Sequence, residues 1–95
     1  MKYRSRADIV SQILEAANGG ATKTKIMYKS YVSFAQLREY LALLTEKGLI
    51  EFEAVGSIFR TTEKGLRVLN MCNNINEELV ITQKQHYLQY FGSPS

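Results

Sequence analysis

Apolar positions along this chain change rhythm twice, from helical spacing to alternation and back, and each rhythm predicts its own kind of element. Between Ser5 and Asn18, the residues Ile9, Val10, Ile13, Leu14 and Ala17 recur at three- and four-residue spacings, the repeat that gathers side chains on one helical face. Ser5 followed by Asp8 predicts the start, because an acid in the first turn favours the positive end of the helix dipole. Asn18-Gly19-Gly20 predicts the stop, so this first helix is about a dozen residues long and serves packing.

The same period returns from Thr22 to Ile50 in two pieces joined by a tight turn. Thr22 caps a short second helix that turns Ile26 and Met27 inward, sets Tyr28 on its flank and leaves Lys23, Lys25 and Lys29 outside. The turn is Ser30-Tyr31-Val32-Ser33, with Val32 placed to staple the entry of the next helix. Ser33 and Gln36 have capping-box spacing, so the third helix begins at Phe34. Phe34, Leu37, Tyr40, Leu41 and Leu44 then share one face for burial. Gly48 ends the helix, and Lys47 suits the negative end of its dipole. The opposite face carries Ala35, Arg38, Glu39, Ala42 and Glu46, with Gln36 at its edge. Two helices, a tight turn and an outward face of small and hydrogen-bonding residues make a helix-turn-helix. Any amphipathic surface helix also has a polar face, so this pattern alone leaves a purely structural reading open.

From Leu49 to Val55 the period becomes two, with Ile50, Phe52 and Ala54 on the inward side of a half-buried strand. Gly56-Ser57 is a two-residue turn signal, and Ile58-Phe59-Arg60-Thr61 is the returning strand. Thr62 opens the last long segment, in which Gly65 weakens the start while Leu66 and Leu69 pack back onto the body. Beyond them, Val68, Cys72, Ile75, Leu79, Thr82 and His86 alternate at four and three residues, a heptad seam. A helix continuous to Tyr90 would span roughly 40 Å, longer than a small domain needs, and so calls for a partner. The asparagines at 70, 73, 74 and 76 leave open a break near Asn74 with a fresh start at Asn76-Glu77-Glu78, and a helix folded back on its own body is the other reading of the seam. The expected fold is mainly α (α+β): a winged helix-turn-helix with a two-stranded wing and a long C-terminal helix. Its parts are a winged-helix domain at 1–65, a dimerisation arm at 66–91 and a tail at 92–95 that is disordered by composition.

Length and charge sharpen this picture. Ninety-five residues fit one modest core. The net charge of +3 is unevenly placed: residues 1–38 hold Lys2, Arg4, Arg6, Lys23, Lys25, Lys29 and Arg38 against Asp8 and Glu15, whereas the stretch on to Glu53 is acidic. A basic first half is the footprint expected of a phosphate-binding protein. The single cysteine, Cys72, has no intrachain partner and no metal-ligand set beside it, which suits a reducing compartment. MKYRSR lacks an apolar run behind it, and no stretch is long enough to span a bilayer, so the expectation is a cytoplasmic, nucleoid-associated protein without membrane contact.

The run KTKIMYKSYVSFAQLREYLALLTEKGLIE at Lys23 to Glu51, with TTEKGLRVLN at Thr61 to Asn70, resembles an archaeal winged-helix family that includes the ten-kilodalton chromatin-type DNA-binding proteins. Its most specific parts are Lys23-Thr24, Ile26-Met27-Tyr28, Ser33 with Gln36-Leu37, Tyr40-Leu41, Gly48-Leu49-Ile50 and Thr62-Glu63-Lys64-Gly65. The resemblance implies double-stranded DNA binding by a homodimer whose C-terminal helices pair as an antiparallel coiled coil. The asparagines and the aromatic ending depart from a clean heptad.

Residue types then suggest roles. Lys23, Lys25, Lys29 and Arg60 would neutralise phosphates, Ser33 and the N-terminus of its helix, with Ala35 in the first turn, would donate to a phosphate, and Gln36 and Arg38 would reach base edges. Glu39 repels phosphate but accepts from a cytosine amino group. Ser57 sits at the wing tip, within reach of a neighbouring backbone or minor groove. The dimer seam is Val68, Cys72, Ile75, Leu79, Thr82 and His86. No catalytic constellation is present, since His86 is the only histidine and Cys72 the only thiol, so the expectation is a non-enzymatic protein with no cofactor, no metal and no evident small-molecule ligand. The helix over 34–47 would lie in the major groove, in a transcriptional regulator or a chromatin-type DNA organiser. The alternative is a winged-helix protein–protein interaction module without DNA binding.

Overall fold

The computed structural model describes residues 4–73. In order come α1 (Arg6–Ala17), α2 (Lys23–Ser30), α3 (Phe34–Glu46), β1 (Ile50–Glu53) and β2 (Ile58–Thr61). Helical backbone resumes as α4 (63–73). Each of the first three starts where a side chain satisfies a free backbone N–H. At α1 the Ser5 hydroxyl accepts from the Asp8 N–H while the Asp8 carboxylate accepts from the Ser5 N–H, both at 3.1 Å. At α2 the Thr22 hydroxyl accepts from the Lys25 N–H at 3.2 Å. At α3 Ser33 and Gln36 form the expected reciprocal box.

The core lies where α1, α2 and α3 meet the root of the hairpin. Ile13, Leu14, Ile26, Leu37, Leu44 and Ile50 are fully buried there, each burial contributing about 1.5–3 kcal/mol. Val32 is buried in the turn between α2 and α3, as its position before the cap predicts. Two buried hydroxyls find backbone partners: Ser30 donates to the Ile26 carbonyl at 2.5 Å and Thr61 to the Leu14 carbonyl at 2.6 Å. The second bond ties the end of β2 to α1.

Three expectations are corrected. Phe34 does not join the buried stripe of α3 and is 51% exposed. Side chains in a helix lean toward its N-terminus, so the first residue of α3 leans beyond the end of the core. The inward face expected for Ile50, Phe52 and Ala54 holds only at Ile50, since Phe52 is 50% exposed and Ala54 is exposed. A two-stranded hairpin has no second layer under its outer half, and Phe52 instead meets Phe59 across the strands with ring centroids 4.8 Å apart. The turn is also longer than Gly56-Ser57. Glu53 pairs with Ile58, so the four residues 54–57 bridge the strands, closed by a hydrogen bond from the Ser57 N–H to the Ala54 carbonyl. Gly56 and Ser57 both take positive φ, which lets the chain reverse there.

The hairpin is fastened to the segment between α1 and α2 by two contacts. Ala21 and Phe59 exchange backbone hydrogen bonds of 2.9 and 2.8 Å, giving β2 a one-residue neighbour on its free edge. Arg60 donates to both oxygens of Glu53, at 2.8 and 3.3 Å, and to the Gly19 carbonyl at 3.0 Å. The hydrogen bond from Arg60, and then its charge, hold the Glu53 carboxyl below the usual carboxylate range.

The start of α4 is set by a close backbone approach. The Thr62 N–H donates to the Leu49 carbonyl at 3.0 Å, its hydroxyl donates to the Gly48 carbonyl at 2.7 Å and accepts from the Gly65 N–H at 3.0 Å. A Cβ at position 65 would collide with the Leu49 carbonyl oxygen and lie 2.7 Å from Thr61 Cγ2. Gly65 is therefore required by packing, where its sequence position suggested only a weak helix start. Leu69 is buried, Leu66 and Val68 pack against the core from its edge, and Cys72 is half-buried. Ile75, Leu79, Thr82 and His86 lie outside the described residues.

Two outcomes follow from these contacts. Gly65→Ala is expected to lose about 2–3 kcal/mol of stability in urea unfolding, as overpacking against rigid backbone does, and Gly65→Val more. The Glu53 pair acts through pH: a carboxyl with a depressed folded-state pKa stabilises the fold above its unfolded value, about 4.3, and loses that contribution as pH falls through the lower folded value. Thermal melts of wild type and Glu53→Gln are thus expected to differ at neutral pH and to converge in acid.

Candidate nucleic-acid interface

The outward face of α3 is built as its spacing dictates. Leu37, Tyr40, Leu41 and Leu44 are buried, which turns Ala35, Arg38, Glu39 and Ala42 together into solvent along a shallow groove. Two small residues there lower the surface so that another molecule's edge can approach the helix axis. Gln36 lies at the same end, but its side-chain oxygen accepts from the Ser33 N–H at 3.3 Å, which leaves the amide NH2 to point outward. The Ser33 hydroxyl likewise accepts from the Gln36 N–H.

Neither α2 nor α3 carries an acid in its first turn, in contrast to α1 with Asp8. In α2 that turn instead carries Lys23 and Lys25, where the dipole disfavours cations, so local stability is given up for positive potential. Lys25 and Lys29 stand exposed on α2, where they line one groove with Tyr28, and Lys29 also lines a groove with Gln12, Glu15 and Ala16 of α1. Lys23 is half-buried and faces α3: its Nζ lies over the Phe34 ring at 5.1 Å from the centroid, and the Arg38 guanidinium carbon lies 5.9 Å from the same centroid. Lys23 and Arg38 also line one groove with Ala42, Thr45, Glu46 and Phe59, between α3 and the hairpin.

The structure thus brings Lys23 beside Arg38 and sets Ala35, Arg38 and Glu39 on one face, with Gln36 held at the helix start by Ser33, and it keeps the wing residues apart. Arg60 is at the wing root, committed to Glu53 and Gly19. Ser57 is at the tip beside Val55, which is 90% exposed, and the four tip residues carry no charge.

Two features of the region escaped the sequence. Arg4, counted there as part of a basic field, donates to the Gln12 side-chain oxygen, to the Ser30 carbonyl at 2.5 Å and to the Tyr31 carbonyl at 2.6 Å. It thereby caps the negative end of α2 and fixes the turn in which Tyr31, 80% exposed, adopts the left-handed conformation (φ 54°, ψ 43°). Phe34, read as core, is the other. Only its place at the first helical position hinted at exposure.

Among the described residues no group of His, Cys, Asp or Glu is arranged to hold a metal ion, and no described helix is long and apolar enough to cross a membrane.

Known structures share this architecture. Sso10a-2, a DNA-binding protein from Sulfolobus solfataricus, superposes with a TM-score of 0.79 at 17% identity, covering 97% of this chain and 100% of that one. ZitR of Lactococcus lactis gives 0.65 at 22% identity, covering 90% of this chain and 60% of that one. BpsR of Bordetella bronchiseptica, whose DNA binding is regulated by 6-hydroxynicotinic acid, gives 0.56 at 17% identity, with 96% and 63% covered. No curated protein matches the sequence. The archaeal neighbour agrees with the resemblance read from Lys23–Glu51 and Thr61–Asn70. A family model described as winged helix-turn-helix matches residues 3–89, and by that match and the geometry of α2, α3 and the β1–β2 wing the chain belongs to the winged helix-turn-helix family.

Proposed function

We propose that this protein binds double-stranded DNA as a homodimer, with α3 in the major groove, and works by binding without catalysis. The observation that carries the proposal is the outward face of α3: two alanines, an arginine and a glutamate on an exposed helix, flanked by the cationic, acid-free start of α2. Recognition helices use such a face for base edges while neighbouring cations and N–H groups hold phosphates. DNA binding in Sso10a-2 and BpsR supports the proposal through the shared fold. Lys23, Lys25 and Lys29 are assigned to phosphates, Arg38 and the Gln36 amide to base edges, and Glu39 to a cytosine amino group. Arg60 and Ser57 join the backbone contacts from the wing, Arg60 after giving up its bond to Gly19. The arm at 66–91 supplies the dimer seam through Val68, Cys72, Ile75, Leu79, Thr82 and His86. A transcriptional regulator or DNA organiser in the cytoplasm, associated with the nucleoid, is the matching role.

A winged helix without DNA binding is the competing reading, favoured by the exposed Tyr28 and Tyr31 on the same unit. Titration of random-sequence duplex DNA across a salt series separates the two. Affinity is expected to fall with a log–log slope of about 0.9 in magnitude per phosphate neutralised. Lys25→Ala or Lys29→Ala is expected to weaken all duplexes alike and to lower the slope by about one, whereas Arg38→Ala costs about 1–3 kcal/mol at preferred sites. Salt-independent binding, or none at low salt, leaves the interaction module standing. For the dimer, Ile75→Asp with Leu79→Asp is expected to give monomers in sedimentation, because each charge would enter an apolar seam; an unchanged mass would place the interface elsewhere.

A further inference from the structure

Cations on a protein surface are commonly oriented by carboxylates, which also cancel their charge. The two ion pairs among the described residues, Arg60–Glu53 and Arg67–Glu63, follow that rule. Lys23 and Arg38 do not: among the described residues neither is paired with a carboxylate, and both are gathered at one aromatic ring, 5.1 and 5.9 Å from its centroid. Phe34 is half-exposed at the start of α3, where an apolar side chain gains little from burial. A ring quadrupole attracts a cation without a formal negative charge, so it fixes direction and leaves the positive potential intact. The two distances set an upper limit of about 11 Å on the separation of the cations, so an anion lying between them is within the screening length, roughly 8 Å at physiological ionic strength, of both. Both also line the groove between α3 and the wing, beside the face assigned to the major groove.

We infer that Phe34 is a positioning residue for DNA binding: its ring holds Lys23 from α2 and Arg38 from α3 as a charged clamp for a phosphate of the strand flanking the major groove. The inference rests on the DNA-binding reading and adds a residue that touches no base itself. It also gives a role to a lysine at the positive end of α2, since Lys23 lies over the ring that opens the next helix.

The test is a double-mutant cycle in the full chain, read by the affinity for random-sequence duplex DNA at low salt. Phe34→Leu is expected to weaken binding about threefold to tenfold and to lower the salt slope, and Phe34→Tyr to restore both, because tyrosine keeps the ring. In the Lys23→Ala background, Phe34→Leu is expected to do less than it does alone, since one of its two clients is gone. Ring-current shifts of the Lys23 side-chain protons in wild type read the clamp without any variant: upfield displacement is expected, and its absence overturns the inference even if Phe34→Leu fails to fold. If wild type binds duplex DNA and Phe34→Leu binds it equally, or the two losses simply add, the clamp is wrong and the DNA reading stands. If wild type binds no duplex DNA at low salt, both fall.

Discussion

The contact on which the arrangement depends is the close passage of α4 over the backbone leaving α3. At Gly65 the main chain comes so near the Leu49 carbonyl that a side chain has no room, and Thr62 locks the approach with three hydrogen bonds to or from Gly48, Leu49 and Gly65. Lys64 adds a fourth link by donating to the Lys47 carbonyl at 3.1 Å. The carbonyls just past α3, those of Lys47, Gly48 and Leu49, are thereby satisfied by the start of the next helix, while the Leu43, Leu44 and Thr45 carbonyls accept from the Lys47, Leu49 and Gly48 N–H groups. Because α3, β1 and α4 share this junction, the orientation of the outward face of α3 and the direction in which α4 leaves the body are fixed together. In the proposed dimer, that coupling sets how two such faces are spaced.

A second principle sorts the basic residues, which by count alone would form one electropositive field. Arg4 and Lys64 are used to close helix ends, and Arg60 to brace the wing against the turn that follows α1. These bonds need the geometry of the donor more than its charge. Lys25 and Lys29 remain on the surface of α2, while Lys23 and Arg38 are gathered by Phe34. The positive potential near α3 therefore comes from fewer residues than the composition suggests, and from the acid-free first turns of α2 and α3. The wing contributes shape more than charge, with an uncharged tip and glutamates at 51 and 53 on its first strand.

Much of this was legible from residue order, because it rests on local chemistry. Helix starts at Ser5, Thr22 and Ser33 depend on one side chain meeting an N–H three residues on, and the second strand, Ile58–Thr61, follows from a short β-branched and aromatic run. The buried stripe Leu37, Tyr40, Leu41 and Leu44 follows from helical period. These regularities carry the fold class, the helix-turn-helix and the outward residues Ala35, Arg38 and Glu39.

What only the tertiary structure decided concerns where each element ends relative to the core. Periodicity assigns Phe34 and Phe52 to inward faces, but neither has a layer beneath it, so one turns to the cations of α2 and α3 and the other to Phe59. Composition counts Arg4 and Arg60 as free charge, but their partners, Ser30, Tyr31 and Gly19, are brought near by chain reversals spanning 26 to 41 residues. Gly65 looks locally like a defect and is required because Leu49 passes beside it. A sequence states which face of a helix is apolar; how far the opposing body extends under that face is set by the packing of the others.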